Sequence, residues 1–238
     1  TAIDGGGPGG LLNDVSLAAG PHTITVDVPL TAGGQAAFRF RLTDECNQGG
    51  ASPTGEAQNG EVEDYVAQLA QLDWGDLPDG PYPTLAANNG PRHIITAASY
   101  LGSVGPDAET NGQPTLAANG DDINGRDDED GILVLNPLVP GLSVDIRVRV
   151  ADDDGTGYVS GFADLNGDGA LEPLVYTSLD GGPGGTASDL ALSSGNHTLT
   201  IDVPANLTFG TPLRFRITDD SGQGGASATG LAANGEVE

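Results

Sequence analysis

The segment Asp164-Leu165-Asn166-Gly167-Asp168-Gly169-Ala170-Leu171-Glu172 has the residue spacing in this chain that points most directly to chemistry. Side-chain oxygens stand at its first, third and fifth places, and a glycine at the sixth permits a sharp turn. Ala170 offers a main-chain carbonyl at the seventh place and Glu172 a carboxylate at the ninth. The front of an EF-hand-type loop presents oxygen to calcium in this order. The twelfth place is Val175 rather than a bidentate glutamate, and the flanks read as strands. The spacing therefore predicts a calcium loop between strands, with a metal-free Asx turn as the alternative. A second concentration of acids comprises Asp121, Asp122, Asp127, Asp128, Glu129 and Asp130, with Asp107 and Glu109 upstream and only Arg126 to offset them. Carboxylates at this density repel unless solvated or bridged. The stretch is read either as a further calcium site, with Asp121, Asp122, Asp127, Asp128 and Asp130 as ligands, or as a solvated acidic loop.

Other reactive residue types lack company. His22, His93 and His197 have no neighbouring nucleophile or ligand set, and the pairs Glu61/Glu63 and Glu236/Glu238 lie on one face of a strand, as sheet-surface or metal groups would. Arg39/Arg41, Arg147/Arg149 and Arg214/Arg216 alternate with Phe40, Val148 and Phe215, which predicts arginines turned to solvent and paired across strands with carboxylates. No catalytic residue is assigned and no enzymatic activity is expected. Asn196-His197-Thr198 and Asn206-Leu207-Thr208 fit the glycan-acceptor pattern, so glycans are possible partners, with chance occurrence as the alternative.

The elements that must position these residues come from a repeat. Gly60-Glu61-Val62-Glu63 returns as Gly235-Glu236-Val237-Glu238, about 175 residues later. Upstream, Phe38-Arg39-Phe40-Arg41-Leu42-Thr43-Asp44 pairs with Leu213-Arg214-Phe215-Arg216-Ile217-Thr218-Asp219, and His22-Thr23-Ile24-Thr25 with His197-Thr198-Leu199-Thr200. The paired segments alternate apolar and polar residues, the period of half-buried strands, and Gly/Pro/Asn clusters separate them. Further strands are expected at Ser143–Val150, at Tyr158–Ala163 and near Leu174–Thr177, and no stretch sustains a helical period. The fold class is thus all-β: tandem immunoglobulin-like antiparallel β-sandwich repeats with an Asp/Gly-rich, metal-organised insert. Residues 135–238 make one sandwich repeat and 1–69 the C-terminal part of another, with its first strands missing and a sheet edge and apolar face open to other material. Residues 70–134 are the acidic insert, with a disordered linker as the alternative.

The charge balance agrees. The 238 residues carry 34 acids against 8 basic residues, all arginine, for a net charge of -26. Nucleic acid and anionic membranes demand cationic surfaces, so they are excluded as partners, and divalent cations are the natural counter-charge. Thirty-eight glycines and sixteen prolines punctuate many short strands, and 37% hydrophobic content suffices for thin sandwich cores. Cys46 alone permits neither an internal disulfide nor a cysteine-based zinc site, and its repeat counterpart is Ser221. No apolar run is long enough to span a bilayer and no signal peptide is evident, so the chain reads as a processed piece of something longer.

An ordered set of motifs carries a family resemblance: Asp73-Trp74-Gly75-Asp76, Pro91-Arg92-His93, Tyr100-Leu101-Gly102, Pro106-Asp107-Ala108-Glu109, Asp127-Asp128-Glu129-Asp130-Gly131, Phe162-Ala163-Asp164 and Gly60-Glu61-Val62-Glu63-Asp64-Tyr65 with its partial copy at 235–238. This resembles the GEVED-domain repeats of very large secreted and cell-surface bacterial proteins. The resemblance implies a β-sandwich module, an extracellular or bacterial cell-surface setting and no catalytic activity. The expected role is a calcium (Ca2+)-stabilised structural segment of a surface fibre or stalk, whose partners are neighbouring copies or repeats. An adhesive or glycan-binding module, or an accessory domain of a secreted hydrolase, is the competing expectation.

Overall fold

The computed structural model describes residues 2–5, 10–29, 32–207 and 210–238, apart from the side chains of Asp121 and Asn124. It is all-β: the one α-helix among the described residues is Gly120–Asn124, and the rest is short strands, turns and a 3-10 turn at Ala86–Asn88. No described helix is long and apolar enough to cross a membrane. The chain divides after Leu69 into two compact units.

In residues 70–238 two five-stranded sheets bury their apolar faces in one cluster. The first runs Ser178–Leu179, Gly195–Asp202, Ser143–Asp152 and Ser99–Leu101, with Ile132–Val134 also on the 143–152 strand. The second runs Glu172–Pro173, Thr156–Ala163, Leu213–Thr218 and Glu236–Val237, with Leu190–Ser193 also on the 156–163 strand. Alternation does what the sequence predicts: Val144, Ile146, Val148 and Val150 point inward to meet Val159, Leu174, Phe215 and Ile217. Each strand expected from the sequence is present: 143–150 extends to Asp152, 158–163 begins at Thr156, and the short third strand is Val175–Tyr176.

The arginine expectation holds for Arg39, which is exposed and pairs across strands with Asp64 at 2.6 and 2.7 Å, but needs a correction elsewhere. Arg149 is exposed and Arg147 half-buried, but Arg214 and Arg216 are buried as completely as Phe215 and Ile217. The 213–218 strand is covered on both faces. Its apolar side packs into the cluster, and its arginine side lies under residues 73–101. There Leu72–Trp74 pairs antiparallel with Arg92–Ile94, which pairs in parallel with Leu231–Ala232. The 70–134 stretch is thereby woven into the same compact unit as 135–238.

Among the described residues of 1–69 there are two two-stranded sheets, Ala2–Ile3 with Ile24–Thr25 and Gln35–Leu42 with Glu61–Gln68. The long hairpin reproduces the 213–218 region down to its turn glycine. Gly60 and Gly235 sit at φ of +94° and +96°, where a Cβ would fall 1.7 Å from the Leu42 carbonyl oxygen and 1.9 Å from that of Ile217. Only glycine fits so near a backbone oxygen in that conformation, which accounts for the first letter of the repeated Gly-Glu-Val-Glu. Surroundings differ between the copies: every residue of Glu61–Gln68 is exposed.

This difference supports a paired test. Phe215 is 1% exposed and its counterpart Phe40 is 37% exposed. Phe215→Ala should destabilise the 70–238 unit by about 3–5 kcal/mol, whereas Phe40→Ala should move that transition by less than about 0.5 kcal/mol. Trp74, the chain's one tryptophan, lies in this unit, so urea unfolding followed by its fluorescence reads the relevant transition.

Candidate metal centre

The 164–172 loop closes a hairpin, since Phe162 and Ala163 pair with Pro173 and Glu172. Buried Asp164 organises it. Its Oδ1 accepts the N–H groups of Gly167 (2.6 Å) and Asp168 (3.2 Å), and its Oδ2 accepts that of Gly169 (3.0 Å) and the Tyr82 hydroxyl (2.8 Å). Asp168 Oδ1 accepts the Ala170 N–H at 2.9 Å, and Asn166 Oδ1 accepts the Asp168 N–H at 2.9 Å. The Asn166 amide nitrogen reaches Asp168 Oδ2 at 3.1 Å and Glu172 Oε1 at 3.4 Å. Carboxylate oxygens of Asp164, Asp168 and Glu172 all lie within 4.8 Å of one another.

Electrostatics keep the central acid ionised. Burial works against the Asp164 carboxylate, but the Tyr82 hydroxyl and three backbone N–H groups outweigh it and hold the group below the usual carboxylate range. The Tyr82 hydroxyl, desolvated and facing that carboxylate, is pushed up to about 12 and stays protonated. The donor set therefore suits a hard cation in chemistry, although a carboxylate has only about four lone-pair positions and those of Asp164 are filled. A cation there displaces one donor, while Asp168 and Glu172 have spare lone pairs. Turning the Asn166 amide end for end exchanges its bridging nitrogen for an oxygen; amide orientation follows from the hydrogen-bond network. Tyr82, 82 residues from Asp164, gave no signal in the sequence.

The other expected acids act mainly as acceptors for backbone groups. Asp128 is buried and accepts the Asp107 N–H at 2.8 Å, Asp130 accepts those of Ser103 (2.7 Å) and Val104 (3.3 Å), and Asp107 accepts that of Arg126 (2.9 Å). Asp127 is exposed, and its carboxyl is pushed up by nearby Asp122. The Asp121 side chain lies outside the described residues, as does Thr208 of the Asn206 acceptor. Among the described residues no three of the 121–130 acids bring ligand oxygens within 4.8 Å of one another, whereas Asp152, Asp153 and Asp219 do. The Asp219 carboxyl is pushed up by burial and then by those two neighbours. Two acidic runs 65 residues apart meet there because Tyr158 pairs with Thr218.

The repeated Arg and Glu residues build a layer that sequence reasoning placed on the surface. Arg216 donates from Nε to His93 Nε2 (2.8 Å), from Nη1 to the carbonyls of Ser227 (2.6 Å), Thr229 (3.2 Å) and Gly224 (3.3 Å), and from Nη2 to those of Gly230 (3.0 Å) and Arg92 (3.2 Å). His93 Nδ1 meets the Asn234 carbonyl at 2.6 Å, so the proton sits on Nδ1 and Nε2 accepts from the arginine. Burial, then the Arg216 charge, holds His93 well below 6.5 and neutral. Arg214 donates to the carbonyls of Ala228 (2.9 Å) and Pro83 (3.1 Å) and to Thr84 Oγ1 (3.2 Å). Glu236 accepts the Leu101 N–H, Glu238 that of Gly131 (3.0 Å), and Asp73 that of Val237 (2.7 Å). Glu236 is thus a buried acceptor rather than a sheet-surface group. His22 and His197 clamp loops alike, through Asp4 at 2.8 Å and Asp180 at 2.7 Å.

These buried acids set a pH dependence. Burial, reinforced by Asp130 and Asp128, pushes Glu238 up to about 8, and burial with Glu238 and Asp73 pushes Glu236 the same way. The folded chain keeps protons that an unfolded glutamate releases near 4.5, so this contribution is complete below 4.5 and is lost as the pH rises through about 8. His93 acts oppositely, removing stability as the pH falls below 6.5. With chelator present, the Trp74-reported melting temperature should therefore fall between pH 6.5 and pH 8, by a loss on the order of a few kcal/mol. Replacing Glu236 and Glu238 by glutamine should flatten that slope, and a flat wild-type profile would contradict the assignment.

Comparison with known proteins places part of this framework. No curated protein and no solved structure gives a significant match to the chain. The family model that matches is that of the GEVED domain, over residues 158–238, from the strand that leads into the Asp164 loop to Glu236-Val237-Glu238.

Proposed function

We propose that this chain is a structural, calcium-stabilised repeat segment of a secreted bacterial surface fibre or stalk, each repeat being an immunoglobulin-like sandwich. The observation that carries the reading is one framework built twice. Arg41 donates to the carbonyls of Ser52 (2.6 Å), Thr54 (3.2 Å) and Gly55 (3.0 Å), the counterparts of those that hold Arg216. Arg39 likewise reaches the Pro53 carbonyl at 2.9 Å, as Arg214 reaches Ala228. The histidines and arginines of both copies, and Glu236 and Glu238 of the second, are engaged in hydrogen bonds that tie separate segments together, as a structural module requires. The GEVED-domain match is consistent with an extracellular setting, and the net charge of -26 favours cations as counter-charge.

Calcium in this reading sits in the 164–172 loop, held by Asp164, Asn166, Asp168 and Glu172 with the Ala170 carbonyl, and stiffens the hairpin. Extracellular modules are tuned to roughly 0.1–1 mM calcium. A site with a Kd of about 0.1 mM adds about 1.4 kcal/mol at about 1 mM ion. For a unit of this size that raises the melting temperature by about 3–6 °C. Melting of the full chain in calcium and in chelator measures this, and Asp168→Ala should abolish the difference. Identical midpoints in calcium and chelator would reduce the loop to a turn. Electron microscopy of the full chain in calcium tests the fibre itself: end-to-end chains are expected, and dispersed monomers would favour a binding module instead.

A further inference from the structure

Two attachments meet at Tyr82, and they belong to different parts of the fold. Its hydroxyl donates to Asp164 Oδ2 at 2.8 Å, across 82 residues of sequence. The two residues that follow it lie on the buried arginine layer: the Pro83 carbonyl accepts from Arg214 Nη1 at 3.1 Å and Thr84 Oγ1 from Arg214 Nη2 at 3.2 Å. The same turn is held by Asp79, whose Oδ1 accepts the N–H groups of Thr84 and Leu85 at 3.0 and 3.1 Å, and by the Thr84 hydroxyl, which donates to the Leu77 carbonyl at 2.6 Å. Pro81 rests on the 164–172 loop, since a Cβ at Gly169 would stand 3.6 Å from the Pro81 Cβ. The turn at 79–85 thus meets the candidate metal loop on one side and Arg214 on the other.

Asp164 has no lone pair to spare. Its oxygens accept three backbone N–H groups and one hydroxyl, which fills the roughly four positions a carboxylate offers. An ion that binds Asp164 must remove one of these donors. The N–H groups of Gly167, Asp168 and Gly169 belong to the turn that also sets Asp168 and the Ala170 carbonyl, so releasing any of them dismantles ligands the ion needs. Tyr82 comes from outside the loop and is only half-buried, so its hydroxyl can donate to water instead. We infer that the Tyr82 hydroxyl competes with calcium for Asp164, and that the ion, by displacing it, couples occupancy of the 164–172 loop to the turn that lies over Arg214. The inference rests on the calcium reading above and adds which donor the ion replaces and what that replacement moves. Without the ion, Tyr82 pins the 79–85 turn to the loop. With it, the turn keeps Asp79 and Arg214 but loses that anchor. Coupling of this kind is reciprocal, so removing the anchor by substitution favours the ion by the same interaction.

Titration calorimetry of calcium into the full chain and into its Tyr82→Phe variant tests the competition, with Asp168→Ala as the blank for ions bound outside the loop. Loss of the hydroxyl should tighten binding by about three- to tenfold, the size of one net hydrogen bond. Amide hydrogen exchange on the same samples tests the coupling. Thr84 and Leu85 should exchange at least about threefold faster with calcium in the unsubstituted chain, and at one calcium-independent rate in Tyr82→Phe. Slow exchange at 213–218 in both chains shows that the variant keeps its fold. Equal affinities, or weaker binding by Tyr82→Phe, would overturn the inference while leaving the calcium reading in place, as would exchange at Thr84 and Leu85 that ignores calcium. No binding by either chain would remove the calcium reading and the inference with it.

Discussion

Arg214 and Arg216 carry their charges into a layer without solvent, and an ion placed there costs several kcal/mol unless its hydrogen-bonding surface is matched. The match comes from main-chain carbonyls rather than from a bonded carboxylate. Every nitrogen of the Arg216 guanidinium has an acceptor: three donate to five carbonyls and one imidazole drawn from two separated stretches of chain. Burial lowers both groups, to about 10 for Arg214 and about 9 for Arg216, which leaves them cationic at neutral pH. Because each arginine must find its carbonyls together, the 224–230 loop, the Arg92–Ile94 strand and the turn at Pro83 and Thr84 are fixed relative to the 213–218 strand. The remaining features of residues 70–238 hang on that arrangement.

The acid excess looks different once bonds are traced. Asp79 accepts the N–H groups of Thr84 and Leu85 at 3.0 and 3.1 Å, Asp152 those of Asp154, Gly155 and Thr156, and Asp164 those of its own loop. Ionised carboxylates make stronger bonds to backbone N–H than neutral acceptors do. In a chain of short strands and many turns, where helices do not satisfy the backbone, aspartate is an efficient cap. Much of the charge thus holds turns, and the demand for external cations is concentrated where acids crowd one another, around Asp164 and around Asp152 and Asp219.

Much of this was legible beforehand. Period-two alternation located the 143–152, 156–163 and 213–218 strands and put Phe215 and Ile217 inside, because side-chain direction in a strand depends on backbone geometry alone. The spacing from Asp164 to Glu172 located a tight oxygen-lined loop, because Asx turns and glycines at positive φ are local chemistry. The self-similarity of the chain exposed the repeated hairpin and its turn glycines. The burial of Arg214 and Arg216, the reach of Tyr82 to Asp164 and the meeting of Asp152 with Asp219 were not legible.

The dividing line is therefore between contacts set within one strand or turn and contacts between distant stretches. The sequence by itself determined the strands, their faces, the turn glycines and the duplication. Tertiary structure alone decided which faces are covered, and hence whether identical residues act as surface or core: Arg216 is buried and neutral His93 shares its proton network, while Arg41 in the same motif keeps only its loop carbonyls. The physical reason is that burial depends on what packs from outside. An alternating strand specifies two faces, but nothing along the strand records the segment 120 or more residues away that closes over the second one.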